Sequence, residues 1–460
     1  MARIDYIEKA ISIAMATGGD FAEVFIEDKD TSSISLINGK IENAISGRVA
    51  GIGVRVYQGT NGIYAFASGS GEKAAIEAAN LAAAALKASD LRAPVKISES
   101  VCKNVHPVRI VPFGVQNERK VALIKRAHRV ISEFSAEVAQ TTIAYADVDQ
   151  RVTIANSEGL FTQDRRIRTR LVMQAIAANQ YGNQVGMEGP GALKGFEFYD
   201  EIDVDALAQN AARVAVTMLH AKKCPGGMMP VAIENGFGGV IFHEACGHAL
   251  EATAVAKGNS VFTGMLGQKI ASDCVTAVDD GTMPEEWGSI NIDDEGRPSQ
   301  RLVLIENGIL KNYMIDRLNG RRMNSEPTGN ARCQSYKYNT TSRMTNTYIA
   351  PGNHSDEEII ASMPDGLYAK KMGGGSVNVV TGEFNFAVLE GYLVKNGKIE
   401  EPVRGATLIG KGEDVLKKID MVGKNLKLGQ GMCGSVSGAI PTNVGQPLIR
   451  VSELTVGGGE

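Results

Sequence analysis

The sequence predicts an α+β protein: a mixed α/β N-terminal domain over residues 1–222, then a mainly antiparallel, β-rich, barrel-like domain over 223–460. Three observations carry this reading. Apolar residues recur at helical spacings of three and four in a few stretches only, most of them before residue 220. Short alternating runs joined by Asn-Gly pairs, whose two residues tolerate positive φ, recur along the chain and dominate its second half. Glycine accounts for 52 of the 460 residues and proline for 14, so the glycine excess is spent on turns and close backbone approaches rather than on a disordered linker.

Taken in order, Ile4, Ile7, Ile11 and Met15 form a helical stripe, and short strands follow at Ala22 to Ile26 and Ile34 to Ile37. Asn38-Gly39 turns the chain into Ile41 to Ile45, and Gly51 to Tyr57 returns through Gly59-Thr60-Asn61-Gly62 into Ile63 to Ala67. An Ala-rich helix is expected from about Glu72 to Ala88. Leu123, Ile124, Ala127, Val130, Ile131 and Phe134 mark a second, and Val204 to Leu219 a third. Strands are expected near Thr142 to Tyr145, Arg151 to Ala155 and Arg166 to Ala177. Ala221 to Pro230, with two Gly, two Pro and two Lys between a helix and a strand, reads as the domain boundary. Beyond it, Asn307-Gly308 and Asn396-Gly397 join further hairpins, with one helix after Phe237 and short ones near Asp356 to Ala361 and Glu413 to Ile419. So many hairpins point to a curved antiparallel sheet or barrel.

Composition excludes several classes. A hydrophobic fraction of 43% with 22% charged residues is globular, and a net charge of -4 supplies no basic field for nucleic acid. No run reaches the roughly 20 apolar residues of a membrane span. Asp5 and Glu8 stand where a signal peptide wants positive charge and an apolar core, so a cytoplasmic protein is expected. Cys102, Cys224, Cys246, Cys274, Cys333 and Cys433 form no CxxC pair and are expected to be reduced.

Chemistry is concentrated in Val231 to Thr253, VAIENGFGGVIFHEACGHALEAT, where a strand and a Gly-rich turn lead into a helix bearing His243, Glu244 and His248. In the zinc-hydrolase pattern HExxH, two His four apart share one helix face and the Glu serves as base. Here the spacing is five, which on a regular α-helix leaves the imidazoles roughly 140° apart. A π-type turn, with i to i+5 bonding, would return them to one face, and Gly247 is a candidate place for it. The alternative is two unrelated histidines on an ordinary buried helix. A catalytic zinc also wants a third protein ligand. Candidates are Cys433 in GQGMCGS, Cys246, Glu251 and the acidic run Asp293, Asp294 and Glu295. Cys433, flanked by Gly431 and Gly434, suits the chemistry best. Cys246 reads more naturally as a small packing residue, and the acidic run as a solvated turn. Arg165, Arg166, Arg168 and Arg170 form a cationic stretch with the last three on one strand face, expected to be solvated. His106, His128, His220 and His354 are isolated.

Longer motifs surround this site: HEACGHALE, NIDDEGRPSQRLVLIENGILKNYMIDRLNGRRM, GNARCQSYKYNTTSRMTNTYIAPG, MGGGSVNVVTGEFNFAVLEGYLV, VRGATLIG and the closing GQGMCGSVSGAIPTNVGQPLIRVSELTVGG. Together they resemble the metal-bearing members of the TldD/TldE (PmbA) family of cytoplasmic metallopeptidases, over nearly the whole chain and most densely after residue 230. The resemblance implies that His243 and His248 bind zinc with Cys433 as third ligand, and that Glu244 is the catalytic acid/base. It implies a β-rich catalytic domain with one metal-binding helix, and places Arg343 and Asn346 near the site. It also implies a dimer, either a homodimer or a heterodimer with a TldE-like subunit lacking the metal motif, acting on unfolded, small or modified peptides. Two other functions compete: a non-catalytic assembly subunit, against which Glu244 argues, and a zinc-dependent amidase acting on a non-peptide substrate.

Overall fold

Long strands organise the N-terminal half. In the computed structural model, which describes residues 4–86, 95–378 and 381–459, helix α1 (Ile4–Met15) leads into β1 (Phe21–Ile37), β2 (Lys40–Gln58) and β3 (Asn61–Ser68). Asn38 and Gly39 take the positive φ values, 46° and 82°, that their hairpin requires. Helix α2 (Glu72–Leu86) follows, and the last two residues expected in it lie outside the described ones. Helix α3 (Asn117–Phe134) precedes β4 (Val138–Asn156), β5 (Leu160–Asn179), β6 (Gly182–Glu188) and helix α4 (Val204–His220).

These strands make one antiparallel sheet in the order β3-β2-β1-β4-β5, with β6 on β5. The short separate strands expected from sequence are in fact continuous. β1 runs through the polar stretch Asp28 to Ser33 because β2 and β4 flank it on both sides, and their ladders satisfy its backbone where side chains carry no apolar signal. On one face, α1 packs Ile7, Ala10 and Ile11 with Ala75, Ala78 and Ala82 of α2. α3 and α4 bury Ile124, Ala127, Ala208 and Ala212 with Leu171, Met173 and Ala175 of β5.

The expected β-rich, barrel-like part is present after residue 226. Strands β7 (Gly227–Ile233), β11 (Asp365–Val377), β12 (Glu383–Lys395), β13 (Thr407–Lys411) and β16 (Ile449–Gly457) close on themselves in the order β11-β7-β16-β13-β12, with β12 pairing back to β11. All of these pairings are antiparallel except β7 with β11. A second sheet carries β8 (Ala277–Asp280), β9 (Arg301–Glu306), β10 (Asn346–Ile349), β14 (Lys427–Ser435) and β15 (Gly438–Gln446), ordered β9-β8-β10-β15-β14. β14 is therefore an edge strand. One apolar core joins the barrel interior, through Leu367, Phe386, Leu408 and Val451, to Ile241, Phe242 and Ala245 of the segment that enters between barrel and sheet.

The uncovered face of β5 meets this second half. Arg166 and Arg168 are not solvated as expected. Arg166 donates to Asp294 Oδ1 at 2.6 Å and to Ile292 O at 2.8 Å, and Arg168 donates to Trp287 O and Ser289 O at 2.9 and 2.7 Å. Nor is the acidic run a solvated turn: Asp293, Asp294 and Glu295 are all buried. Arg166 and Arg168 do share one strand face, but that face is covered by chain more than a hundred residues away.

Candidate metal centre

The site helix is irregular throughout. Phe237–Gly239 is a 3-10 turn, Val240–Phe242 one α turn, His243–Gly247 a π turn and His248–Leu250 again 3-10. The His248 N–H donates to the His243 carbonyl, the i to i+5 bond that the histidine spacing requires. Gly247 itself has ordinary helical torsions, φ -53° and ψ -51°. Its role is space: a Cβ there would stand 2.3 Å from Met344 Sδ. Gly239 is equally constrained, since a Cβ would meet the Gly445 backbone at 2.4 Å, so glycine lets β15 lie against the start of the helix.

The π turn brings the two imidazoles together with ring centroids 5.2 Å apart. Cys433, on edge strand β14, completes the group: its Sγ is 3.2 Å from His243 Nε2 and 3.2 Å from His248 Nε2. One ligand atom from each of the three lies within 4.8 Å of the others. A tetrahedral zinc with ordinary bonds separates N and S ligands by about 3.5 Å, so these residues fit such an ion after a shift of a few tenths of an ångström. Two imidazoles and a thiol are also a donor set suited to zinc. Burial works to raise the Cys433 thiol, but the two adjoining histidines outweigh it and bring it down to about 3. Burial likewise opposes the charge on His248, yet Glu251 and Cys433 lift its pKa well above the usual histidine value. Cysteine binds a metal as thiolate, the form that the two histidines favour.

The remaining candidates fall elsewhere. Glu244 Oε2 lies 3.7 Å from His248 Nε2, and its side chain keeps 29% of its surface open to solvent, so it stands beside the three donors on the accessible side. Cys246 is fully buried in the core and its thiol is pushed up by burial. Glu251 is outside the group of three donors, with Oε1 3.3 Å from His248 Nδ1 on the far side of the ring. Asp293, Asp294 and Glu295 belong to the contact between the two halves. Arg343 lies by the site, donating to the Cys433 carbonyl at 2.6 Å. Asn346 instead braces the sheet, donating to Asp280 O and Ser289 Oγ. Sequence reasoning missed Trp287 and Met344, and no pattern in the sequence marks either, because each acts through contacts made only in three dimensions. Trp287 donates its indole N–H to Gly431 O at 2.8 Å, and the Arg170 guanidinium stacks 5.4 Å above its ring while donating to Gln430 O. The N-terminal sheet thus reaches the strand that bears Cys433.

Against known proteins, residues 226–458 match the PmbA/TldA metallopeptidase C-terminal domain, 111–219 the central domain and 22–89 domain 1 of that family. The chain belongs to the PmbA/TldD family of metallopeptidases. A relative named metalloprotease TldD homolog, from Buchnera aphidicola subsp. Acyrthosiphon pisum, is 34% identical over 95% of this chain and 93% of its own. The fold is shared with a solved structure from Thermotoga maritima, at TM-score 0.77 and 21% identity, covering 98% of this chain and 99% of that one. It is shared too with TldE from Thermococcus kodakarensis, at TM-score 0.74 and 18% identity, covering 98% and 99%. The PmbA/TldD fold is thus matched along the whole chain.

Proposed function

We propose that this family member is a zinc-dependent peptidase that hydrolyses peptide bonds in small, unfolded or modified peptides, with His243, His248 and Cys433 as metal ligands and Glu244 as general base. The observation that carries the reading is the π turn, which puts both imidazoles on Cys433 Sγ at 3.2 Å while leaving Glu244 beside them and open to solvent. A zinc ion held by His243, His248 and Cys433 would supply an acidified water and a Lewis acid for the substrate carbonyl. Glu244 takes the proton of the attacking water and delivers it to the leaving amine. A purely structural site would have no use for a carboxylate held there.

Substrate is held as an added strand. β14 carries Cys433 at the edge of its sheet, and Met432, Gly434 and Ser435 beside it are exposed. Backbone pairing along such an edge accepts many side chains, which suits broad peptide specificity. On this reading residues 223–460 form the catalytic domain, 1–222 pack against it, and the working unit is a dimer, either with a second copy or with a TldE-like subunit. No nucleic acid or membrane takes part. A cytoplasmic setting agrees with six cysteines that are all free. Among the described residues, no helix is long and apolar enough to cross a membrane.

Incubation with a mixed peptide library, alone and with a TldE-like partner, and mass spectrometry of the products tests the activity. Metal analysis of Cys433→Ser tests the site. Retention of wild-type zinc affinity by that variant would remove Cys433 from the ligand set.

A further inference from the structure

An imidazole that offers Nε2 to a metal carries its proton on Nδ1, and an acceptor at Nδ1 fixes both the tautomer and the plane of the ring. For His248 the group at Nδ1 is Glu251, the extended residue that ends the helix three positions on, 4% exposed, with Oε1 at 3.3 Å. The same oxygen lies 3.7 Å from Nε of Arg343, a side chain with no exposed surface. Neither Glu251 Oε1 nor Arg343 Nε closes a hydrogen bond with a described residue. Two complementary buried atoms left one small shift apart are costly if they serve only the fold.

Arg343 commits its other nitrogens to the hairpin between β14 and β15. It donates to Cys433 O at 2.6 Å, to Ser437 Oγ at 2.8 Å and to Gly438 O at 2.9 Å. The backbone just after Glu251 is tied to the residue before Arg343 as well: Thr253 N donates to Ser342 Oγ at 2.9 Å. One guanidinium therefore touches both arms of the site, which lie far apart in sequence.

We propose that Glu251 and Arg343 form a clasp that sets the metal site, Glu251 holding His248 with Nε2 toward the ion and Arg343 locking the Cys433 hairpin to the same carboxylate. This rests on His243, His248 and Cys433 being the metal ligands. Neither group reaches the reacting atoms, so both are positioning residues.

The test uses full-length protein freed of metal and titrated with Co2+, whose thiolate charge-transfer band reports Cys433 and whose visible spectrum reports coordination geometry. Glu251→Ala is expected to bind Co2+ about 10- to 100-fold more weakly than wild type, while Glu251→Gln, which retains an acceptor oxygen for Nδ1–H, recovers most of that loss. Arg343→Gln is expected to weaken binding and to shift or diminish the thiolate band. Because the two residues act as one unit, the double variant should lose less than the sum of the single losses. Variants that fold as judged by thermal unfolding, yet match wild type in affinity and spectrum, overturn the clasp. If they fail to fold, wild-type protein with 15N-histidine and 113Cd decides: coupling through His248 Nε2 supports the clasp, and coupling through Nδ1 overturns it. A wild-type protein that binds Co2+ without a thiolate band overturns the ligand set itself, a result distinct from unchanged variants.

Discussion

Trp287 donates its indole N–H to Gly431 O at 2.8 Å, so the one tryptophan of the chain is tied to the strand that two residues later carries Cys433. The hydrogen bond and the stacked Arg170 make its fluorescence sensitive to the position of β14. Zinc added to the metal-free protein should therefore change tryptophan emission and saturate at one ion per chain. Cys433→Ser should abolish the change, and Trp287→Phe should remove the signal while leaving zinc content near normal. Fluorescence titration with parallel metal analysis checks both.

Glu244→Gln should keep its metal and lose hydrolysis. The substitution preserves size and hydrogen bonding but removes the base, and loss of a positioned general base typically costs about 10²- to 10⁴-fold in rate. Because Glu244 is partly exposed and 3.7 Å from the nearest imidazole nitrogen, folding and metal content should be unaffected. Peptide cleavage followed by mass spectrometry, beside metal analysis of the same preparation, checks this. Full activity in the variant would remove Glu244 from the mechanism.

Much of this site is legible in the sequence because its rule is local. Two histidines five positions apart cannot serve one metal on a regular helix, so either the helix deforms or the reading fails, and the deformation is there between His243 and Gly247. The reason for Gly247 was not legible. It is a contact with Met344, and nothing in the local sequence announces a side chain 97 positions away. The arginine face on β5 shows the same limit. Alternation places Arg166, Arg168 and Arg170 together, but whether water or protein covers them depends on where residues 287–294 fold back. Strand length failed for a related reason: Asp28 to Ser33 carry little apolar signal, and two flanking ladders hold them extended.

That buried contact predicts two opposite responses to pH. Burial works to raise Asp294, but Arg166 outweighs it and holds the carboxyl below its usual value. A depressed folded pKa gives stability that is present above the unfolded value, about 3.9, and lost as pH falls through the folded one. Asp294→Ala leaves Arg166 with Asp164 as its remaining carboxylate partner, at 3.1 Å, so it should destabilise by less than the about 3–5 kcal/mol of a wholly unpaired buried charge at neutral pH, and by less again in acid. Glu295 behaves in the reverse sense. Burial first, then Glu23, Asp293 and Asp316, raise it well above normal, so the wild type loses stability as pH rises from about 4.3 toward the folded value. Its Oε2 accepts from Arg317 N at 2.9 Å, while Oε1 has no partner among the described residues. Glu295→Gln keeps the first bond and removes the charge. It should raise the unfolding temperature, by more at pH 8 than at pH 5, and thermal unfolding across that range reads the difference.

Gly247→Ala should damage the proposed metal centre without altering any of its three proposed ligands. The added methyl would stand 2.3 Å from Met344 Sδ, and Met344 is itself fully buried, so either the π turn shifts or the methionine does. Overpacking of this kind costs about 1–3 kcal/mol. If the turn yields, the His243 and His248 donors move off Cys433 and zinc affinity falls. Met344→Ala alone leaves a cavity and should destabilise the fold by about 2–5 kcal/mol. Combined with Gly247→Ala, it gives the new methyl room, so the double variant should lose less stability and less zinc affinity than the two single losses summed. A double-mutant cycle in both quantities checks the pairing. Strict additivity would mean that Gly247 answers to something other than Met344.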